Sequence, residues 1–503
     1  MSTENKSVQH PQYHVAIDIG AGSGRLFAGY LREGRLILDE LHRFASEDLC
    51  LCGQYVRNIY LWHEHVLEGL KRFVQKYGEE LSSVGVDSFG SDFVFLDAQG
   101  NVCKMPVAYR YSQPSPEAVQ RLKSFGPERM FAICGNHTMK NDTVLQIIDE
   151  QLRPDSVLSH ARSILFFGDI FHYFLCGSRC NELSMASYSK MVNQKSWEWE
   201  DEIFEYFHIS PTMKSPIVRS GDKLGKVYPN ICRRVGLRNQ PEVVAPAIHD
   251  TADAAFVIPD LRKGSYFNSS GSWSLLGTVV EEPVLMKEAW AFNASNSNMP
   301  IDRHMFKKNV AGMWIMQCCR SVWGKYSFAE IAQAAESVTD NEYYFDTDAE
   351  RFFNPECMPE EISRDLFERY GVTIHSGDMP RISRIALESI ALKYRYTLEN
   401  LGRLCGIPAE RLYIVGGGSQ NRLLNQLSAN SCGVPVYAGI PEASVAGNIL
   451  CQMYGQSEIS GVGEAHEIIR RSFEFAEYLP RDSAAWAQKY QAFLRHVMRQ
   501  EME

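Results

Sequence analysis

One pattern occurs twice in the chain: a short apolar run, a turn of small residues and a second β-rich run. The first copy is "AIDIGAGSGRLFAGYL" at 16–31, and the second is "GSYFNSSGSWSLLGTVV" at 264–280. Glycine and serine between two β-rich runs are typical of the tight turn of a β-hairpin. The repeat therefore predicts an α/β chain of two related halves, with a ligand-binding cleft between them.

The glycines of the first turn fit neither of the two common phosphate-binding loops. No G-x-x-x-x-G-K-[ST] run occurs in the chain, and G-x-G-x-x-G would need glycine at the position of Arg25. Both loops also require a helix immediately afterwards, whereas residues 25–44 read as two strands joined by "REG". The loop is therefore predicted to be the turn of an antiparallel meander.

Hydrophobic patterns predict further elements in the first half. Apolar spacing indicates a helix over 61–78, and "VGVDSFG" at 84–90 indicates a strand. The run at 92–109 is predicted to form another hairpin. The apolar window at 163–177 is too short to cross a bilayer and carries Asp169, so it is predicted to be a buried helix.

The second half continues the alternation, and the length requires more than one core. The run at 411–439 predicts a strand, a glycine triplet, a helix and a strand, followed by a helix that begins near Glu442. A chain of 503 residues is too long to fold around a single hydrophobic core. Because Pro241 and Pro246 would interrupt any regular element, we expect a boundary at 241–246, and domains at 13–245, 246–455 and 456–503.

Composition excludes several classes of partner. The net charge is −10 and no block of Lys or Arg stands out, which argues against a nucleic-acid partner. The 13 cysteines include no CxxC pair, so we expect reduced thiols rather than a zinc site or a disulfide framework. Residues 1–12 lack the apolar core of a signal peptide, which predicts a cytoplasmic protein without a membrane partner.

The polar cluster in "AIHDTADAA", at 247–255, allows two interpretations. Asp250 or Thr251 could be a helix N-cap that satisfies free amide groups. Alternatively, an aspartate at the start of a helix could accept the proton of a hydroxyl that attacks phosphorus. The residues alone leave both possibilities open.

Three other features are equally open. Asp18, at a strand end, either caps the following turn or holds Mg²⁺ through water beside a polyphosphate. Arg25 is either a salt-bridge partner or a residue that stabilises the loop or contacts phosphate. The glycines at 416–418 form either a simple turn or bare backbone against which a base or phosphate lies.

The order of these segments resembles the FGGY family of carbohydrate kinases, and within it most closely the kinases of L-rhamnulose. The matching segments run in the same order over nearly the whole chain, from Ala16 to Asn448. They are "AIDIGAGSGR", "VGVDSFGSDFVFLD", "PVAYRYS", "HDTADA", "SSGSWSLLG", "KKNVAGMWIMQ", "IVGGGSQNRLLNQL" and "GIPEASVAGN".

The resemblance implies two ribonuclease-H-like (actin-like ATPase) domains with ATP and sugar in the cleft between them. Residues 13–245 would bind the sugar, 246–455 the nucleotide, and 456–503 would be a helical extension. The implied reaction transfers the γ-phosphoryl group of Mg-ATP to O1 of a 6-deoxyketose, converting L-rhamnulose to L-rhamnulose 1-phosphate. The chain is expected to be a monomer or a homodimer.

The resemblance also implies roles for individual residues. Asp250 would be the general base, and Asp18 the carboxylate near Mg²⁺. The sugar pocket would be lined by Gly90, His249, Asp250 and Thr251. The nucleotide would be bound by a phosphate loop and by residues of the second half: Ala21, Gly22, Ser23, Gly24, Arg25, Ser272, Asn309, Gln317 and Gly417.

Six positions depart from the usual family pattern, and one of them, Ser272 in place of threonine, keeps the hydroxyl. Gly22 replaces a serine of the phosphate loop, and Phe89 and Ser91 change a motif that faces the sugar in the family. Tyr111 and Gln113 stand in place of an acid and a base. L-fuculose or another ketose or pentulose is therefore an alternative substrate. A more remote alternative is an actin-like ATPase switch that phosphorylates no sugar.

Overall fold

The computed structural model of the chain describes residues 11–20, 22–136, 139–259, 261 and 263–498. Its strands are β1 His14–Ile19, β2 Ser23–Arg32, β3 Arg35–Ala45, β4 Asp48–Leu51, β5 Gln54–Arg57, β6 Ser83–Ser88, β7 Phe93–Leu96, β8 Ser163–Phe166, β9 Asn181–Glu182, β10 Ile217–Val218, β11 Lys223–Lys226, β12 Glu242–Val244, β13 Ser265–Ser270, β14 Trp273–Val280, β15 Ser295–Met299, β16 Arg303–Ala311, β17 Arg411–Val415, β18 Val436–Ala438 and β19 Ala476–Tyr478.

The helices lie between these strands and after them. They are α1 Ile59–Tyr77, α2 Pro116–Ser124, α3 Pro127–Cys134, α4 Thr143–Gln151, α5 Phe167–Cys176, α6 Leu183–Tyr188, α7 Asp201–Tyr206, α8 Pro229–Val235, α9 Asp250–Phe256, α10 Lys287–Ala291, α11 Trp314–Trp323, α12 Phe328–Glu336, α13 Met358–Tyr370, α14 Met379–Cys405, α15 Arg422–Cys432, α16 Ala443–Gly455, α17 Val462–Ser472 and α18 Ser483–His496. Within the described ranges, none of them is long and apolar enough to cross a bilayer.

The two large sheets share one core topology, as the repeated sequence pattern predicts. In the first sheet, β1, β2 and β3 form an antiparallel meander, and β6 and then β12 continue it in parallel with β1. In the second sheet, β13, β14 and β16 form the meander, and β17 and β18 continue in parallel. The predicted fold class, α/β with two ribonuclease-H-like sheets, is confirmed.

The chain divides into two compact units. The first comprises Met1–Pro259, Ser297–Arg303 and Ser444–Ser472, and the second comprises Asp260–Asn296, His304–Ala443 and Phe473–Glu503. The sequence predicts a different division, into domains at 13–245, 246–455 and 456–503. That division remains a prediction.

The first sheet is built on a fully buried strand and an amphipathic helix. All six residues of β1 are buried, and α1 packs Trp62, Val66 and Leu70 into the same apolar core. The side chain of Asn58 accepts a hydrogen bond from the Leu61 amide at the start of α1. Gly78, with φ of 100°, ends the helix, so the predicted helix at 61–78 is correct to within two residues.

Three local predictions need correction. The run at 92–109 is not a regular hairpin: β7 pairs with the distant β8, and only an isolated bridge joins Leu96 to Val102. The apolar window at 163–177 is a buried strand followed by a helix, because its first four residues complete the β7 pair. The proline-flanked stretch at 241–246 contains β12, whose two prolines lie outside the residues that pair with β6.

Candidate active site

Three segments of the first unit end at one edge of the first sheet. Asp18 on β1 lies opposite Asp87 on the parallel neighbour β6. The Ser88 amide at the end of β6 donates a 2.7 Å hydrogen bond to the carbonyl of Ile248. Asp250 follows two residues later as the first residue of α9. The carboxylates singled out in the sequence, Asp18 and Asp250, therefore lie at the same edge.

The Asp250 side chain is 37% exposed, while that of its neighbour His249 is 7% exposed. Its Oδ1 accepts a 3.2 Å hydrogen bond from the Thr251 hydroxyl and lies 3.3 Å from His249 Nδ1. Burial acts to raise the pKa of this carboxyl, but hydrogen bonds from His249 and Thr251 outweigh it, and the pKa lies below its ordinary value. Asp250 is thus an accessible, ionised carboxylate.

The helix cap at this point is a different residue from the one expected. His249 occupies the N-cap position, and its Nδ1 faces the Thr251 amide at 3.4 Å. The interpretation of Asp250 or Thr251 as the N-cap is wrong, since both lie inside α9. The Asp250 carboxylate is therefore not used as the cap of α9.

The residues predicted to line the sugar pocket lie close together. A Cβ at Gly90 would stand 3.6 Å from His249 Nε2 and 3.0 Å from a ring carbon of Tyr188. The His249 and Tyr188 rings meet edge to face with centroids 5.2 Å apart. Thr251 is buried, and its hydroxyl donates a hydrogen bond to Asp250. Tyr188, which the sequence analysis missed, carries no local motif that marks it.

The predicted phosphate loop is only partly described, because Ala21 lies outside the described residues. Around Gly22 the space above the Cα is open, and nothing lies within 4 Å of a Cβ placed there. Gly24 is different, since a Cβ there would stand 2.1 Å from the Phe44 ring. Ser23 begins β2 directly after the loop. Gly22 is thus the member of this turn whose backbone is open to a ligand.

Arg25 lies against Asp18. Its Nη2 and Nε donate to Asp18 Oδ2 at 2.7 and 3.1 Å, and the Ser444 hydroxyl donates to the same oxygen at 2.6 Å. Three hydrogen bonds thus converge on Oδ2 and fix the orientation of the Asp18 carboxylate.

A resident metal site built from protein side chains is absent among the described residues, where no three His, Cys, Asp or Glu side chains could hold an ion. Mg²⁺ commonly keeps several waters and binds through one or two carboxylates together with substrate phosphates. The Asp18 carboxylate suits that mode of binding.

Two further carboxyls, Asp87 and Asp253, stand near Asp18 and are fully buried. Burial, with the charges of Asp18 and Asp253 nearby, raises the pKa of Asp87 well above its ordinary value. The Asn448 amide donates to Asp87 Oδ2 at 2.6 Å. Both aspartates stand within the motifs "VGVDSFG" and "HDTADA", but neither spacing nor composition distinguishes them from surface residues.

Three of the predicted nucleotide contacts lie near the turn between β13 and β14 and the neighbouring strand. The Ser272 hydroxyl in this turn donates to Gln317 Oε1 on α11 at 2.9 Å. The Trp314 amide, at the start of α11, donates to the Ser272 carbonyl at 3.0 Å. Asn309 lies on β16, and its buried Oδ1 has no partner within the described residues.

The glycine triplet divides into two constrained glycines and one open glycine. Gly416 has φ of 81°, and a Cβ there would stand 3.0 Å from the Ser270 carbonyl oxygen. A Cβ at Gly418 would overlap the Ser270 side chain at 2.0 Å, whereas nothing lies within 4 Å at Gly417. Gly417 is exposed at the start of a short 3₁₀ turn, Gly417–Gln420, just before α15. The backbone at Gly417 is thus exposed, at the position predicted to contact the nucleotide.

The residues that depart from the family pattern lie in different surroundings. Phe89 is buried in the core, 4.9 Å from the Phe167 ring centroid. Ser91 has φ of 83°, and its hydroxyl accepts a 2.8 Å hydrogen bond from the Asn141 amide. Tyr111 and Gln113 line a separate cavity of about 380 Å³. Of these four, Ser91 directly follows Gly90 of the predicted sugar pocket.

Comparison with known proteins identifies the class. The N-terminal domain of the FGGY family of carbohydrate kinases matches residues 13–257, and the C-terminal domain of that family matches residues 266–456. The chain belongs to this family and is a carbohydrate kinase, which confirms the resemblance seen in the sequence.

Relatives with a more specific name are also similar over nearly the whole chain. A rhamnulokinase from Bacteroides thetaiotaomicron is 34% identical over 481 residues, covering 95% of this chain and 98% of the relative. A rhamnulokinase from Lactiplantibacillus plantarum is 32% identical over 486 residues, covering 96% and 98%. One from Bacillus subtilis is 29% identical over 481 residues, covering 93% and 96%.

Solved structures support the fold. A gluconate kinase from Lactobacillus acidophilus has a TM-score of 0.78 at 12% identity and covers 97% of each chain. A glycerol kinase from Plasmodium falciparum, solved with ADP, has a TM-score of 0.75 at 13% identity, covering 96% of this chain and 97% of the other. These similarities extend the shared architecture across kinases of different sugars and polyols.

Proposed function

We propose that this carbohydrate kinase phosphorylates O1 of L-rhamnulose with Mg-ATP, giving L-rhamnulose 1-phosphate and ADP. The observation that carries the proposal is the Asp250 carboxylate, accessible and ionised at the sheet edge that it shares with Asp18. The 29–34% identity to proteins named rhamnulokinase supports the choice of sugar.

In the proposed reaction, Asp250 accepts the proton of the O1 hydroxyl as that oxygen attacks the γ-phosphorus. The O1–P bond forms while the bond from the γ-phosphorus to the bridging oxygen breaks, and the electron pair leaves with ADP. A general base must be ionised before it can accept a proton. Hydrogen bonds from Thr251 and His249 lower the pKa of Asp250, so its carboxyl is ionised. His249 Nε2 lies beside Gly90 and would bond a sugar hydroxyl.

The phosphate tail is assigned to the turn at 20–25 and the nucleotide to residues of the second unit. Open space around Gly22 leaves room for anionic oxygens to approach the backbone of this turn. Ser272, Asn309, Gln317 and Gly417 are assigned to the nucleoside. Mg²⁺, when bound through water to the Asp18 carboxylate, would neutralise charge on the phosphates. Arg25 and Ser444 would hold that carboxylate in place.

L-fuculose is the second candidate substrate. The departure from the family pattern at Ser91 is the reason to test it. Its hydroxyl and its left-handed backbone lie directly beside Gly90, where a change alters the predicted pocket. Phe89 and Tyr111 do not add to this argument, because Phe89 packs in the core and Tyr111 lines another cavity.

ADP release in a coupled assay tests the proposal over L-rhamnulose, L-fuculose, L-ribulose, L- and D-xylulose and glycerol. We expect strong stimulation by L-rhamnulose, with a phosphorylated product at O1. Preference for another ketose would contradict the choice of sugar. ATP hydrolysis that is independent of every sugar would contradict phosphoryl transfer and favour the actin-like switch.

A further inference from the structure

The backbone that carries Asp250 is held by two polar side chains that have no part in the proposed chemistry. Glu182 Oε2, at the end of β9, accepts a 3.0 Å hydrogen bond from the Ile248 amide. The Ser184 hydroxyl oxygen, in the first turn of α6, accepts a 3.0 Å bond from the His249 amide. Both side chains are almost completely buried, with Glu182 2% and Ser184 1% exposed.

The two side chains act as one unit. The Ser184 amide donates to Glu182 Oε2 at 2.9 Å, and the Ser184 hydroxyl donates to the same oxygen. A serine hydroxyl has a single hydrogen, so with that hydrogen directed at Glu182 its lone pair faces the His249 amide. One carboxylate oxygen thereby fixes two successive amides of the segment before Asp250.

We propose that Glu182 and Ser184 are positioning residues that aim the Asp250 carboxylate. The proposal rests on the role of Asp250 as general base. Asp250 is the first residue of α9, so the backbone at 248–249 sets the direction of its side chain. From the other side, the Ile248 carbonyl is held by the Ser88 amide at 2.7 Å. The segment is thus fixed between β6 and the Glu182–Ser184 pair.

Other ionisable groups surround Glu182. Asp169 accepts bonds from the Glu182 amide at 3.2 and 3.3 Å, and Asp253 faces both Glu182 and the Cys451 thiol. Glu182 also lines a cavity of about 750 Å³, where the Ser220 hydroxyl reaches its Oε1 at 3.4 Å. The remaining charged residues of that cavity are Arg219, Asp222, Asp302, Glu458 and Glu464.

The charge of Glu182 changes near neutral pH. Burial raises its pKa to about 7, although hydrogen bonds from Ser184 and Ile248 act in the opposite direction. An ionised acceptor makes stronger hydrogen bonds than a neutral one. The segment before Asp250 should therefore be held more firmly as pH rises through that value.

The first test compares two serines that bond the same carboxylate. Ser184→Ala removes the link to the His249 amide, whereas the matched control Ser220→Ala removes only a bond to Oε1 on the cavity side. We expect kcat to fall roughly tenfold in Ser184→Ala with KM for ATP unchanged, because a small misplacement of a base slows chemistry. Ser220→Ala should keep the wild-type kcat. Equal kcat in the two variants would overturn the proposal.

The second test uses Glu182→Gln, which keeps an acceptor oxygen but removes the charge. We expect the wild-type kcat to rise as pH passes through about 7, and this rise to be lost in Glu182→Gln. An identical pH profile in both proteins would overturn the part assigned to Glu182. Ser184→Ala keeps the carboxylate and decides the question if Glu182→Gln does not fold.

Asp250→Ala, measured in parallel, separates this proposal from the one on which it rests. Near-normal turnover in Asp250→Ala would remove the base and the positioning claim together. A second combination of results is possible: Asp250→Ala loses turnover, Ser184→Ala keeps a normal kcat, and Glu182→Gln keeps the wild-type pH profile. This combination would overturn only the positioning claim.

Discussion

The two large sheets have the same strand order but present different chemistry at corresponding edges. Where β1 and β6 end in parallel, Asp18 faces Asp87. Where β13 and β17 end in the same way, Asn268 faces Ile414 and Ser269 faces Val415. The first edge carries carboxyls, and the second is neutral. The duplicated scaffold thus carries ionisable side chains at this position of one sheet and uncharged side chains at the corresponding position of the other.

One buried pair of carboxyls in the first unit differs from one buried carboxyl in the second. In the first, Glu182 and Asp169 are buried together, and burial raises the pKa of both. In the second, the fully buried Glu388 pairs with Arg384 at 2.6 Å and with Lys489 at 2.8 Å. Buried ion pairs fix a structure, whereas carboxyls with raised pKa values are more typical of functional sites.

The largest effect is expected from the acidic edge of the first sheet. Asp250→Ala should lower kcat by about a hundredfold or more, which is the usual scale for loss of a general base. Nucleotide binding should stay almost intact, since the assigned nucleotide contacts lie in the second unit. ADP-release kinetics and ATP titration measure the two quantities. A variant with near-normal turnover would contradict the assigned base.

Asp18→Asn should weaken the response to Mg²⁺ and lower turnover by about tenfold to a hundredfold, the usual cost of disturbing a metal's outer shell. The amide keeps an oxygen but loses the charge that pairs with Arg25. The measurement is the rate of ADP release against Mg²⁺ concentration. Ser444→Ala, which removes a single bond to Asp18, is the milder control. Unchanged Mg²⁺ dependence in Asp18→Asn would argue against the magnesium role.

Local sequence patterns predicted the first meander, the hairpin at 264–280 and the strand–turn–helix order around Gly417, because tight turns leave clear local signals. The β7–β8 pair was missed because it joins segments about 70 residues apart. Glu182 and Tyr188 were missed for the same reason: their roles depend on packing against 248–249, which no spacing reveals. The strand β12 was hidden by prolines that lie just outside its paired residues.

The neutral edge is tested by two adjacent glycines. Gly417→Ala should fold normally and raise KM for ATP by about fivefold, equivalent to roughly 1 kcal/mol, because its new methyl occupies open space assigned to the nucleotide. Gly418→Ala is the matched contrast: its methyl would collide with Ser270 and lower stability by roughly 1–3 kcal/mol. Thermal unfolding and ATP kinetics distinguish the two. Equal effects on KM would contradict a ligand at Gly417.

The smallest effect on turnover is expected from a stability measurement, which concerns pH and a buried carboxyl of the first unit. Glu182 has an ordinary pKa of 4.5 and a folded pKa of about 7, so the folded state binds more protons between these values. Its contribution to stability is therefore lost as pH rises from about 4.5 to 7, by at most roughly 3.4 kcal/mol at 1.36 kcal/mol per pKa unit. Glu182→Gln, which cannot ionise, should show a flatter dependence of the thermal midpoint on pH across this window. Glu399→Gln, at a half-exposed carboxylate that pairs with Arg395 in the second unit, should follow the wild-type slope. Equal slopes in all three proteins would mean that Glu182 ionises in the folded chain as it does in the unfolded one.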